Sequence, residues 1–140
     1  MSQLVIVDTN VVVAGLLTTQ ADSPLARVLD GMLVAAFSFA LSEALLAEYR
    51  LVLRRASLRK LHGLTQDELD TILVELAQRA IFIEPVRTAP APDPGDQHLW
   101  ELLAAREDSL LVTGDKKLQG DRAMRARILT PAVFVKRSLK

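Results

Sequence analysis

The chain has 140 residues, no cysteine and 50% hydrophobic residues, and its seventeen Lys and Arg are matched by seventeen Asp and Glu. This composition excludes a disulfide scaffold, a cysteine-ligated zinc site, cysteine catalysis and a polyanion binder driven by bulk charge, but leaves room for a basic patch beside an acidic site. One domain over residues 1–140 is expected, because a chain of this size buries roughly 68–70% of its unfolded surface without a crosslink or structural metal.

Residues 1–13 are apolar but lack a basic lead-in and are interrupted by Asp8, Thr9 and Asn10, so they do not read as a signal peptide. The longest apolar stretch, residues 32–41 with Ser38 inside it, falls short of the ~20 residues a membrane-spanning helix needs. A cytoplasmic protein without a membrane association is the expectation.

Leu4, Val5, Ile6 and Val7 form a short aliphatic run that reads as a strand buried on both faces, ending at Asp8, where the chain turns toward a helix. Ser23-Pro24 marks a helix start, with Leu25, Val28 and Leu29 at helical spacing and Gly31 as a stop. Residues 37–41 form a second strand, and Ser42 opens a helix carrying Leu45, Leu46, Tyr49, Val52 and Leu53. Thr65 and Glu68 make a capping box ahead of Leu69, Ile72, Leu73 and Leu76. A third strand at 80–83 is followed by a proline-rich surface loop, Pro85 to Pro94. Asp93-Pro94 opens a helix with Leu99, Trp100, Leu102 and Leu103; strands at 110–113 and 127–129 follow, and Pro131 starts a last helix with Val133 and Phe134.

Continuous apolar strands alternating with amphipathic helices predict an α/β three-layer sandwich, with a central, mostly parallel sheet of about five strands flanked by helices. Ligands of such sheets sit at the carboxyl ends of the strands, which directs attention to Asp8, Ser42 and Asp115. Alone, Asp8 serves equally well as a helix cap. Right-handed crossovers, however, can set its strand beside the one that ends in Thr113-Gly114-Asp115, so that two strand-end carboxylates converge. Asp96 lies near the start of its helix, where a negative charge is favourable anyway, and Glu48 falls among apolar neighbours. Together Asp8, Glu48, Asp96 and Asp115 offer hard oxygen donors and no sulfur, a set suited to Mg²⁺ or Mn²⁺ and not to zinc.

The chain resembles the PIN-domain ribonucleases, in particular bacterial toxins of the VapC type. The likeness covers nearly the whole chain: Val5-Ile6-Val7-Asp8-Thr9-Asn10, Ser42 to Glu48 with Leu51 and Leu53, Asp93-Pro94-Gly95-Asp96, Leu111-Val112-Thr113-Gly114-Asp115-Lys116, and the closing Leu129-Thr130-Pro131-Ala132-Val133-Phe134. No one of these is specific; their order over this length is the signature. The resemblance implies divalent-metal-dependent hydrolysis of RNA phosphodiester bonds by the toxin of a type II toxin-antitoxin pair. Asp8, Glu48, Asp96 and Asp115 would be the catalytic metal-binding acids, supported by hydrogen bonds from Asn10, Ser42 and Thr113. Glu43 and Asp93 are the rival acids, with Asp93 better suited to capping. A homodimer and a cognate antitoxin protein are implied in the same way. The chain departs from its relatives at Gly95 and Gln97, where an acid and an asparagine are common, and at Lys117, where a further acid is common; the latter puts a second metal site in doubt.

Arg50, Arg54, Arg55, Arg59 and Lys60 form a basic segment just after Glu48, and Lys116, Lys117, Arg122, Arg125 and Arg127 form another beside Asp115. Arg50, Arg54, Arg55 and Lys116 are the candidate RNA-binding residues; an ordinary solvated helix face is the competing reading. Trp100 is expected in the core, and His62 and His98 as ordinary surface or partly packed residues. Asn10 stands where a haloacid-dehalogenase-type phosphatase needs its second aspartate, and the glycine-rich lysine loop of a phosphate-loop NTPase is absent. A phosphoacceptor signalling domain fits poorly, since Asp8 stands without a second acid beside it. The alternative that survives is a catalytically silent PIN-like domain that binds RNA or a protein partner.

Overall fold

The computed structural model describes residues 3–139; Met1, Ser2 and Lys140 of the expected 1–140 domain lie outside the described residues. Strands β1 (Val5–Val7), β4 (Leu110–Val112) and β5 (Ile128–Leu129) pair in the order β1-β4-β5, and β2 (Ala40–Leu41) pairs with β3 (Ile81–Phe82). A parallel bridge between Val5 and Phe39 ties the two sheets together, so the lateral order is β3-β2-β1-β4-β5. All of these pairings are parallel, with Val7 opposite Val112 and Val112 opposite Leu129. Helices flank this sheet in the expected α/β arrangement.

The helices are α1 (Thr9–Leu17), α2 (Pro24–Leu33), α3 (Glu43–Leu53), α4 (Ala56–His62), α5 (Gln66–Arg79), α6 (Gln97–Ala105), α7 (Lys116–Gln119) and α8 (Pro131–Ser138). Their starts are set by short polar side chains. Ser23, Ser42, Thr65 and Thr130 each accept a hydrogen bond from the backbone N–H three residues on, at 3.1–3.2 Å. At Thr65 the box is complete, since Glu68 Oε1 accepts the Thr65 amide at 2.9 Å. Gly15 lets α1 approach α2, because a Cβ there would stand 2.8 Å from the Leu25 carbonyl oxygen.

β1 is buried at every position, and Leu45, Tyr49, Leu53, Leu99, Trp100 and Leu103 close over the sheet from α3 and α6. Phe37 packs edge-on against Phe39 and Phe134, with ring centroids 6.3 and 4.9 Å apart.

Three expectations are corrected. The third strand is not buried: Ile81 and Phe82 are 44% and 50% exposed, because β3 lies at the edge of the sheet. The second is a two-residue strand preceded by the Phe39 bridge, and the fifth begins at Ile128, leaving Arg127 in a 3₁₀ turn, Arg125–Arg127. The basic segment spans two helices: α3 ends at Leu53 and α4 starts at Ala56, with Arg54 and Arg55 at the joint. Helices α1 and α7 also fill stretches where the sequence marked no span. Among the described residues no helix is long and apolar enough to cross a membrane.

Candidate active site

Because β1 and β4 are parallel neighbours, the chain leaves the sheet at adjacent points after Val7 and Val112, and the Asp8 amide donates to the Val112 carbonyl at 2.9 Å. Asp8 is 5% exposed and Thr113 fully buried. The Thr113 hydroxyl donates to Asp8 Oδ2 at 2.7 Å and accepts the Asp115 amide at 3.0 Å, linking the two strand-end acids through one side chain. Asn10 adds a second bridge: Nδ2 donates to Asp8 Oδ2, and Oδ1 accepts the Gly114 amide, both at 3.4 Å. Asp115 Oδ1 accepts the Lys117 amide at 2.9 Å and so caps α7.

Asp96, from the 3₁₀ turn Pro94–Asp96 that leads into α6, and Glu48, from α3, complete the set: all four acids line one cleft, and Arg55 lies on its wall. Two residues that the sequence did not single out belong here. His98, on the first turn of α6, places Nε2 2.5 Å from Glu48 Oε2. Its only sequence signal was its place two residues after Asp96. The Tyr49 hydroxyl, fully buried, donates to the Val7 carbonyl at 2.5 Å and satisfies the backbone just ahead of Asp8. Its helical spacing had marked it as core.

The electrostatics are those of crowded carboxylates. Burial pushes Asp8 up from the usual carboxylate range, opposed by the hydrogen bonds from Thr113 and from the Thr9 backbone; Glu48 adds to the rise and His98 offsets it. Asp96 is pushed up to about 6, first by burial and then by the charges of Asp8, Asp93, Asp115 and Glu48. Burial raises the Tyr49 phenol well above its ordinary value, with the same direction from Asp8 and Glu48.

Other candidates stand elsewhere. The Ser42 hydroxyl accepts the Leu45 amide at the start of α3, and Glu43 lines a separate groove with Phe82 and Glu84. Asp93 Oδ1 accepts the Gly95 amide at 2.8 Å, a capping arrangement. Arg50 lies in a groove between α3 and α5, and Arg54 Nε donates to Gln66 Oε1 at 3.2 Å; neither lines the cleft. Lys116 follows Asp115 and is exposed. Arg127 is withdrawn from the basic cluster, since its guanidinium donates to the carbonyls of Leu103, Arg106 and Ser109 and to Ser109 Oγ. His62 is structural, with Nδ1 accepting the Leu64 amide and Nε2 on the Leu53 carbonyl, both at 3.0 Å.

Four carboxylates around one cleft fit a hard divalent cation in donor type. As they stand, no three Asp, Glu or His side chains among the described residues close on a single ion position. Three of the four acids make contacts within the protein: Asp8 is held by Thr113 and Asn10, Glu48 touches His98, and Asp115 caps α7.

No curated protein matches the chain. The PIN domain family model matches residues 4–117, a span that contains β1, all four acids and the Thr113-Gly114-Asp115 turn. On that match, which covers most of its length, the chain belongs to the PIN domain family.

Proposed function

We propose that the chain, as one domain over residues 1–140, is a divalent-metal-dependent ribonuclease that hydrolyses RNA phosphodiester bonds. Family membership supports a nuclease-class function. The observation that carries the finer reading is the convergence of Asp8, Glu48, Asp96 and Asp115, from four separate segments, on one cleft where burial, and then the neighbouring acids, raise Asp96 to about 6. Such crowding is costly unless a cation offsets it.

These four acids would hold Mg²⁺ or Mn²⁺. When bound, the ion supplies positive charge for a phosphate oxygen and acidifies the attacking water. Thr113 and Asn10 fix Asp8, so that its carboxylate is oriented before any substrate arrives. Arg55 on the cleft wall and Lys116 beside Asp115 supply cations for the phosphodiester backbone. Arg50 and Arg54 lie outside the cleft and would act on more distant phosphates.

The wider reading is that of a cytoplasmic toxin of a type II toxin-antitoxin pair, VapC-like, forming a homodimer and restrained by a cognate antitoxin protein. A catalytically silent domain that binds RNA or a protein partner is the second reading, favoured by the lack of three converged ligands among the described residues. Incubation of purified protein with total RNA in Mn²⁺ or Mg²⁺ decides between them. The nuclease reading expects cleavage that chelator abolishes; RNA left intact in both metals, with binding retained, supports the silent domain.

A further inference from the structure

His98 reads in the sequence as an ordinary surface or partly packed residue, yet its side chain is only 18% exposed and its Nε2 lies 2.5 Å from Glu48 Oε2. Neither ring nitrogen is open to solvent, and neither makes a hydrogen bond of regular geometry among the described residues. The close approach of Nε2 to the Glu48 carboxylate is the polar contact that this shielded imidazole does make. Glu48 has the longest side chain of the four cleft acids and is 33% exposed, so without an attachment it would sample several rotamers.

We propose that His98 is a positioning residue for Glu48: it engages Oε2, fixes the carboxylate between α3 and α6, and leaves Oε1 as the oxygen offered to a divalent cation. The inference rests on the metal-dependent reading of the cleft. One short segment then contributes twice, since Asp96 enters the cleft and His98, two residues on, holds the acid that arrives from α3. Partners that orient a liganding carboxylate govern affinity even though they never touch the ion.

The test is Mn²⁺ binding to the full chain, by calorimetry and by the electron paramagnetic resonance signal of the ion, for wild type, His98→Ala, His98→Gln, Glu48→Gln and the His98→Ala/Glu48→Gln double variant. His98→Ala is expected to weaken Mn²⁺ binding by about 10-fold or more. His98→Gln, whose amide N–H can take over the Nε2 contact, should recover most of that loss. In the Glu48→Gln background, removing His98 should change affinity by less than about twofold, because both changes act through one carboxylate. Melting curves without Mn²⁺ identify any variant that fails to fold, in which case His98→Gln carries the comparison. Undiminished binding by folded His98→Ala, or an equal loss with and without the Glu48 carboxylate, overturns the inference while leaving the metal-dependent reading intact. Absence of Mn²⁺ binding by the wild type overturns both.

Discussion

Thr113 and Asp8 meet through a 2.7 Å hydrogen bond from hydroxyl to carboxylate, and the same hydroxyl accepts the Asp115 amide at 3.0 Å. A buried carboxylate and a part-buried amide thus share one hydroxyl oxygen as partner. Thr113→Val keeps the shape but removes the hydroxyl, leaving Asp8 Oδ2 and the Asp115 amide short of a partner. The expected loss is about 1–3 kcal/mol in a urea titration of the metal-free protein, and Thr113→Ser should recover much of it.

Asp96 makes metal-free stability depend on pH. Its carboxyl is raised from 3.8 to about 6 in the fold, so the native state holds the proton through a window in which the unfolded chain has lost it. Stability from this group therefore falls as pH rises from about 4 to about 6 and stays low above that. Asp96→Asn should melt higher than wild type at about pH 7.5 and close to it at about pH 4, the difference amounting to about 1 kcal/mol after allowance for solvent screening. A variant that melts lower at neutral pH would contradict the crowding of the cleft.

Arg127 stabilises the turn between α6 and β4. Its guanidinium donates to Leu103 O, Arg106 O, Ser109 O and Ser109 Oγ, satisfying the carboxyl end of α6 from across the fold. Arg127→Met should cost about 2 kcal/mol or more, whereas Arg106→Ala, which removes an exposed pair with Asp108, should cost less than about 1 kcal/mol. Chemical denaturation of the two variants checks the contrast.

Ala35, at the end of α2, has a left-handed backbone with φ 55°, the one non-glycine case among the described residues. The Ala36 amide donates to the Gly31 carbonyl at 2.8 Å and closes the helix over this residue. Ala35→Gly removes the strain of a Cβ in that region and should stabilise by about 1 kcal/mol, raising Tm by about 3 °C.

The sequence exposed those features that depend on local chemistry. Aliphatic runs marked β1 and β4, their ends marked Asp8 and Asp115, and Ser23, Ser42, Thr65 and Thr130 marked helix starts. Features set by neighbours were hidden. Ile81 and Phe82 have the composition of a buried strand, and only the sheet order makes β3 an edge. The joint at Arg54 and Arg55 has no glycine or proline to announce it, so α3 and α4 read as one basic stretch. Arg127 read as part of a basic cluster, and His98 as surface or partly packed with no partner named, because a side chain's direction is fixed by elements far away in the sequence: α6 and the turn before β4 for one, α3 for the other.

The measurement that tests the central claim most directly is cleavage of an end-labelled single-stranded RNA in Mn²⁺ by wild type, Asp8→Asn, Asp96→Asn, Asp115→Asn, Glu48→Gln and Glu43→Gln, each shown to be folded by its melting curve. Each of the four cleft-acid variants should cleave on the order of 100-fold more slowly. Glu43→Gln, altered in a different groove, should cleave as wild type does. Undiminished cleavage by Asp8→Asn, with the protein free of contaminating nuclease, would contradict that claim.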